Sequence, residues 1–195
     1  PSRGEDEYAG LGRAFNRMAG SLRHQFRLLS TFARIDRLML ERSAVDPVIE
    51  SILPRARKLL KCEVAAVVLR EPGSDDARTY MAGNSAIAGV EIARITLSGA
   101  RIESLAGRST QWLPSSVVAT GGLHFLDEPG IEAWAVAGIR VENEVRGTLL
   151  LGFRTRTRGG KTGRLASSLA HRIAVALGNE DRETALLRQA YYDSL

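Results

Sequence analysis

The stretch Ile131–Arg154, "IEAWAVAGIRVENEVRGTLLLGFR", decides the fold. Two runs rich in valine, isoleucine, leucine and tryptophan stand on either side of the polar "ENE", and such runs around a short polar break form an antiparallel β-hairpin. A second hairpin lies upstream, where "CEVAAVVLRE" and "RTYMAG" flank the turn-rich "PGSDDA". Between the hairpins the sequence reads as a weaker extended stretch, "EIARITLS", a short helix around Ala100–Ala106 and a strand in "STQWLP". A loop bearing prolines and glycines follows, from Pro114 to Gly130.

Ahead of the strands, Val48, Ile49, Ile52, Leu53, Ala56, Leu59 and Leu60 make one apolar helical face. Asp46 is expected to cap that helix, with Pro47 at a first-turn position that needs no amide partner, and Pro54 is expected to mark a kink or an early turn. Antiparallel strands and helices in one unit predict an α+β fold, a central antiparallel sheet flanked by helices.

Both ends are predicted to be long helices. Leu165, Leu169, Ile173, Leu177, Leu187 and Tyr191 lie on or near one stripe that starts near Gly163 and is interrupted by Glu180 and Thr184. That helix is about 30 residues, roughly 45 Å long, so only its first half can pack on the domain and its second half must leave it. The closing "LLRQAYYDSL" has no capping glycine or proline, which predicts that a further segment follows. At the other end Leu11, Phe15, Met18, Leu22, Gln25, Leu29 and Phe32 step by four and three residues, the seam of a coiled coil. Such a stripe cannot bury itself. It predicts a parallel homodimer through Leu11, Phe15, Met18, Leu22, Leu29, Leu187 and Tyr191, with packing onto its own domain as the alternative. Gly20 weakens the first helix locally by about 1 kcal/mol relative to alanine.

The 195 residues carry a formal charge of +5, and no apolar run approaches the length of a membrane span. The polar opening "PSRGEDEYAG", with no initiating methionine, reads as the start of an excised fragment. A single cysteine, Cys62, excludes an internal disulfide framework and is read as a buried structural thiol. His24, His124 and His171 have no partners at metal-ligand spacing. "RGGKTG" matches only the end of a phosphate-binding loop, because Thr155 stands where its first glycine belongs. The basic run Arg154, Arg156, Arg158, Lys161 and Arg164 reads as a solvated linker or an anion patch, and it lacks the aromatic interleaving of single-strand binding. No catalytic constellation emerges, and no cofactor is required.

Three resemblances follow from these stretches. "DEYAGLGRAFNRMAGSLR", with Asp6-Glu7, Leu11, Phe15-Asn16 and Met18, resembles the second helix of a HAMP domain, which implies membrane segments upstream. Residues 29–180 resemble a GAF domain in the order of their elements, in "WLP" at Trp112–Pro114 and in the closing hairpin from Ala133 to Phe153. The "NKFDE" motif of cyclic-nucleotide binders and a cysteine placed for bilin attachment are both missing. "QAYYDSL", with Asp193, Ser194 and Leu195, resembles the lead-in to a GGDEF domain, the domain that makes cyclic di-GMP from GTP.

Together these imply three parts: 1–28 as distal HAMP helix and linker, 29–180 as sensor, and 181–195 as a signalling helix entering a GGDEF domain. The whole is then a non-catalytic regulatory module in the cytoplasmic part of an inner-membrane diguanylate cyclase. A small-molecule receptor and a ligand-free dimerising relay are the alternatives. Tyr80, Leu97, Trp112, His124 and Phe125 are the candidate ligand contacts, chosen as aromatic and loop-proximal residues over a sheet, and Trp134 is read as core.

Overall fold

The computed structural model describes residues 13, 15–23, 25–26, 29–30, 33, 44–83, 89–126, 128–155 and 160–192, without the side chains of Phe125 and Tyr192. Residues 15–23 are helical, as their periodicity predicts. Leu11, Phe32 and the GGDEF-like Asp193–Leu195 lie outside the described residues, as do Asp6-Glu7.

Six strands form one antiparallel sheet: β1 (Val64–Arg70), β2 (Asp76–Ala82), β3 (Glu91–Thr96), β4 (Gln111–Pro114), β5 (Ala133–Val141) and β6 (Glu144–Phe153), in the order β3-β2-β1-β6-β5-β4. Helices α1 (Val45–Leu60) and α4 (Gly160–Tyr192) cover one face. The shorter α2 (Gly99–Ala106) and α3 (Ser115–Ala119), with a turn of 3-10 helix at His124–Leu126, cover the other. The central strands β1 and β6 are buried on both faces, which explains why their sequences run apolar without alternation.

Strand parity divides the core in two. Along β5, Ala135 and Ala137 face α1 and α4, whereas Trp134 and Val136 face α2. The small residues meet Ala166, Ala170 and Ala174 of α4, so that helix lies close against β5. The large ones fill the opposite layer together with Leu105, Leu123 and Leu150.

The expected hairpin closes in a two-residue turn: Glu142 and Asn143 both have positive φ, 50° and 72°, the left-handed conformation that matches the strand twist. Ile139 pairs with Gly147 but Arg140 with Val145, so Arg146 is the extra residue of a β-bulge.

Two expectations are corrected. Ala44, not Asp46, occupies the N-cap of α1, without a side-chain cap; Asp46 stands inside the first turn because Arg78 and Tyr80 claim its carboxylate. The final helix starts at Gly160, three residues before the expected position.

Gly147 of β6 pairs with Leu69 of β1, and a Cβ there would collide with the Val68 carbonyl oxygen and the Leu69 side chain. Backbone cannot yield as a side chain can. Gly147→Ala is therefore expected to destabilise the domain by about 2 kcal/mol or more, read from chemical denaturation; a loss below about 0.5 kcal/mol would show that the strands can separate locally at no cost.

Candidate functional site

Charged residues gather at the end of the sheet where α1 begins and where α4 loses contact with the domain. Arg78 of β2 stands directly opposite Arg94 of β3, a pairing of like charges that needs a counter-charge. Glu71 supplies it, with Oε1 at 3.4 Å from Arg94 Nε and 3.9 Å from Arg78 Nε. Asp46 supplies more: it accepts from Arg78 Nη1 at 2.8 and 3.1 Å and from the Tyr80 hydroxyl at 2.6 Å. A carboxylate in the first turn of α1 is also favoured by the helix dipole. Burial, and then the hydrogen bond and charge of Asp46, push the Tyr80 pKa upward, so the phenol stays protonated.

Two adjacent residues fasten α4 to this cluster. The bulge turns Arg146 toward the helix, where it makes a forked contact with Asp181 at 2.5 and 3.4 Å. Glu180 Oε2 accepts the backbone N–H of Val45, the first residue of α1, at 3.4 Å. Glu180 thus satisfies one of the orphan amides that no cap residue of α1 reaches. Desolvation raises the Glu180 pKa, reinforced by Asp46 and Asp181 and partly offset by the Val45 amide and Arg78. A cleft of about 330 Å³ opens here between Arg78, Arg94, Arg146, Glu71 and Glu180. Beyond it α4 has no domain under it: Leu186 and Leu187 are each 66% exposed and Tyr191 is 67% exposed.

The five sequence-chosen contacts do not come together. Tyr80 is core on the α1 face, Leu97 is core on the opposite face, and Trp112 packs on Phe153 with ring centroids 5.4 Å apart on the α4 side. His124 is exposed, and the Phe125 side chain lies outside the described residues. Trp134 is core, as read. Sequence reasoning missed Arg78, Arg146 and Asp181. The available signals were charged residues within otherwise apolar strands and an acidic pair, Glu180-Asp181, breaking an apolar helical stripe.

Among the described residues no group of three or more His, Cys, Asp or Glu could hold a metal, and no helix is long and apolar enough to cross a membrane. Burial pushes the Cys62 thiol up to about 12, so it is a neutral thiol rather than a nucleophile.

Solved structures share this fold. This chain has the GAF fold. The phycoerythrobilin-bound GAF domain of a cyanobacterial phytochrome is similar at a TM-score of 0.63 and 13% identity, covering 82% of this chain and 99% of that one. The GAF domain of a putative sensor histidine kinase from Pseudomonas syringae pv. tomato gives 0.54 at 16% identity, covering 90% and 99%. The free methionine-R-sulfoxide reductase of Neisseria meningitidis, bound to its substrate, gives 0.58 at 11% identity, covering 77% and 88%. No family model and no curated protein matches the sequence.

Two outcomes test the cluster. Asp46→Ala leaves the buried Tyr80 hydroxyl without its acceptor and should cost about 2 kcal/mol. Most of that penalty should vanish in a Tyr80→Phe background, and additive losses in the double-mutant cycle would show that the pair is not coupled. Because Glu180 has a raised pKa in the folded state, its ionised form opposes folding at neutral pH, and that penalty disappears as pH falls below the unfolded carboxyl range. Glu180→Gln should therefore raise Tm at pH 7 and lose this advantage near pH 4, whereas an unchanged difference across that range would refute the assignment.

Proposed function

We propose that the chain is a non-catalytic regulatory module that passes a signal from an incoming helix to an outgoing one. The observation that carries this reading is the junction at Val45, Glu180, Arg146 and Asp181. It ties the first residue of α1 to the residues at which α4 leaves the domain, so a displacement of one helix is felt by the other through one shared contact. Phytochrome and sensor-kinase neighbours support a place in sensory signalling for the fold.

The HAMP-like and GGDEF-like stretches support a more specific assignment. The parent is a membrane-anchored diguanylate cyclase in which residues 1–28 bring the signal, 29–180 form the GAF unit and 181–195 lead to the output. The partner is a second copy of this chain. Phe15, Met18, Leu22 and Leu29 of the first helix and Leu187 and Tyr191 of the last are all exposed, and pairing would cover them. A cyclase joins two GTP molecules carried by facing domains, so reorienting the exit helices alters the rate by positioning.

Relay is favoured over ligand reception by the layer around Trp134. That side chain is 1% exposed, and its ring lies within 3.0 Å of where a Cβ on Gly152 would stand. The described residues there form one buried apolar cluster.

The test is cyclic di-GMP formation from GTP and magnesium by a protein extended past Leu195 through the following domain, with and without residues 1–180. Product whose rate changes on removing residues 1–180 is the expected result. No product from either form would overturn the cyclase assignment, and an unchanged rate would overturn the regulatory role.

A further inference from the structure

We propose that the cleft between α4 and the turn after α2 binds a small oxyanion of the phosphate monoester class. This goes beyond the relay reading and does not depend on it. The cleft, about 210 Å³, is bordered by Arg108 and Ser109 of the turn, Arg140 of β5 and His171 of α4. Its floor is small: Ala137, Gly138 and Ala174.

The local chain geometry makes the cleft. β4 pairs with β5 only as far as Val136, so no strand covers the outer edge of β5 beyond that point. The C-terminus of α2 then sits against Gly138, where a Cβ would lie 2.9 Å from the Ala106 carbonyl oxygen. Gly107 turns the chain with φ +49°, and a side chain there would run into Gln111. The turn thereby carries Arg108 and Ser109 over α4. Thr110 Oγ1 donates to the Gly163 carbonyl at 3.0 Å and meets Ser167 Oγ at 2.7 Å, which fastens the turn to the helix.

Charge distinguishes this cleft from its neighbours. The one at the α1–α4 junction, and the two beside the β5–β6 turn, each mix arginines with carboxylates. Here the lining holds two arginines and a histidine and no aspartate or glutamate. Arg140 is held in place by carbonyl oxygens, with Nη2 donating to Gly107 at 2.7 Å and Nη1 to Asn143 at 3.4 Å. Neutral acceptors orient its guanidinium, which also borders a neighbouring cleft together with Glu103 and Glu144. Arg108 has no carboxylate partner among the described residues. Two arginines, a histidine and the Ser109 hydroxyl border the cleft from three elements, a set of donors suited to the terminal oxygens of a phosphate.

The full chain is titrated calorimetrically with inorganic phosphate and, separately, with glucose 6-phosphate, at an ionic strength held constant by chloride. Saturable binding is expected, with the His171 ring resonances moving as ligand is added. Arg108→Gln, at an exposed residue with no hydrogen bond or ion pair among the described residues, should weaken binding about tenfold or more while leaving Tm of the free protein unchanged. Tighter binding of the sugar phosphate identifies an organic monoester as the ligand, and equal binding identifies free phosphate. Absence of saturable binding by both, equal affinity in the variant, or the same response to chloride alone would overturn the proposal.

Discussion

The close approach of α4 to β5 is the contact on which the rest of the molecule depends. Alanines from strand and helix meet face to face, and the distance they permit fixes the line along which α4 runs across the sheet. With that line fixed, Asp181 arrives opposite the bulged Arg146 and Glu180 arrives beside the first amide of α1. Larger residues at Ala135 or Ala137 would lift the helix and separate both pairs. The same parity that puts alanine toward α4 puts Trp134 toward α2, so close packing on one face and a filled layer on the other have one origin in the sequence.

The polar cluster adds less stability than its number of contacts suggests. Arg78, Asp46 and Asp181 are each about a third or more exposed, where ion pairs contribute about 1 kcal/mol or less. The strong element is the buried Tyr80 hydroxyl, which makes Asp46 hard to remove. The weaker contacts suit a joint between elements. The long bond from Val45 to Glu180 holds a carboxylate in partial desolvation, so it fixes geometry at little net gain.

Much of the architecture was legible in sequence because strands and long helices carry periodic signals. The hairpin around Glu142-Asn143, the apolar face of α1 and the departure of α4 beyond its middle all appear in the structure as read. Which of the five candidate contacts share a face was not legible. Whether Tyr80 points toward α1 or toward the short helices is a matter of strand parity and of which helices cover which face, and neither is written locally. Asp46 shows the same limit from another side. An Asp-Pro pair looks like a helix start by itself, but an arginine and a tyrosine from β2 compete for the carboxylate and the helix begins two residues earlier, at Val45.

The free end of α4 acts mechanically as a lever whose fulcrum is Asp181. Eleven residues from that point to Tyr192 span about 16 Å at the rise of an α-helix. A tilt of roughly 10° at the fulcrum moves the far end by about 3 Å, more than enough to exchange one side-chain packing for another. An atomic adjustment at a single forked contact is thereby multiplied, along rigid helix, into a displacement on the scale of an interface.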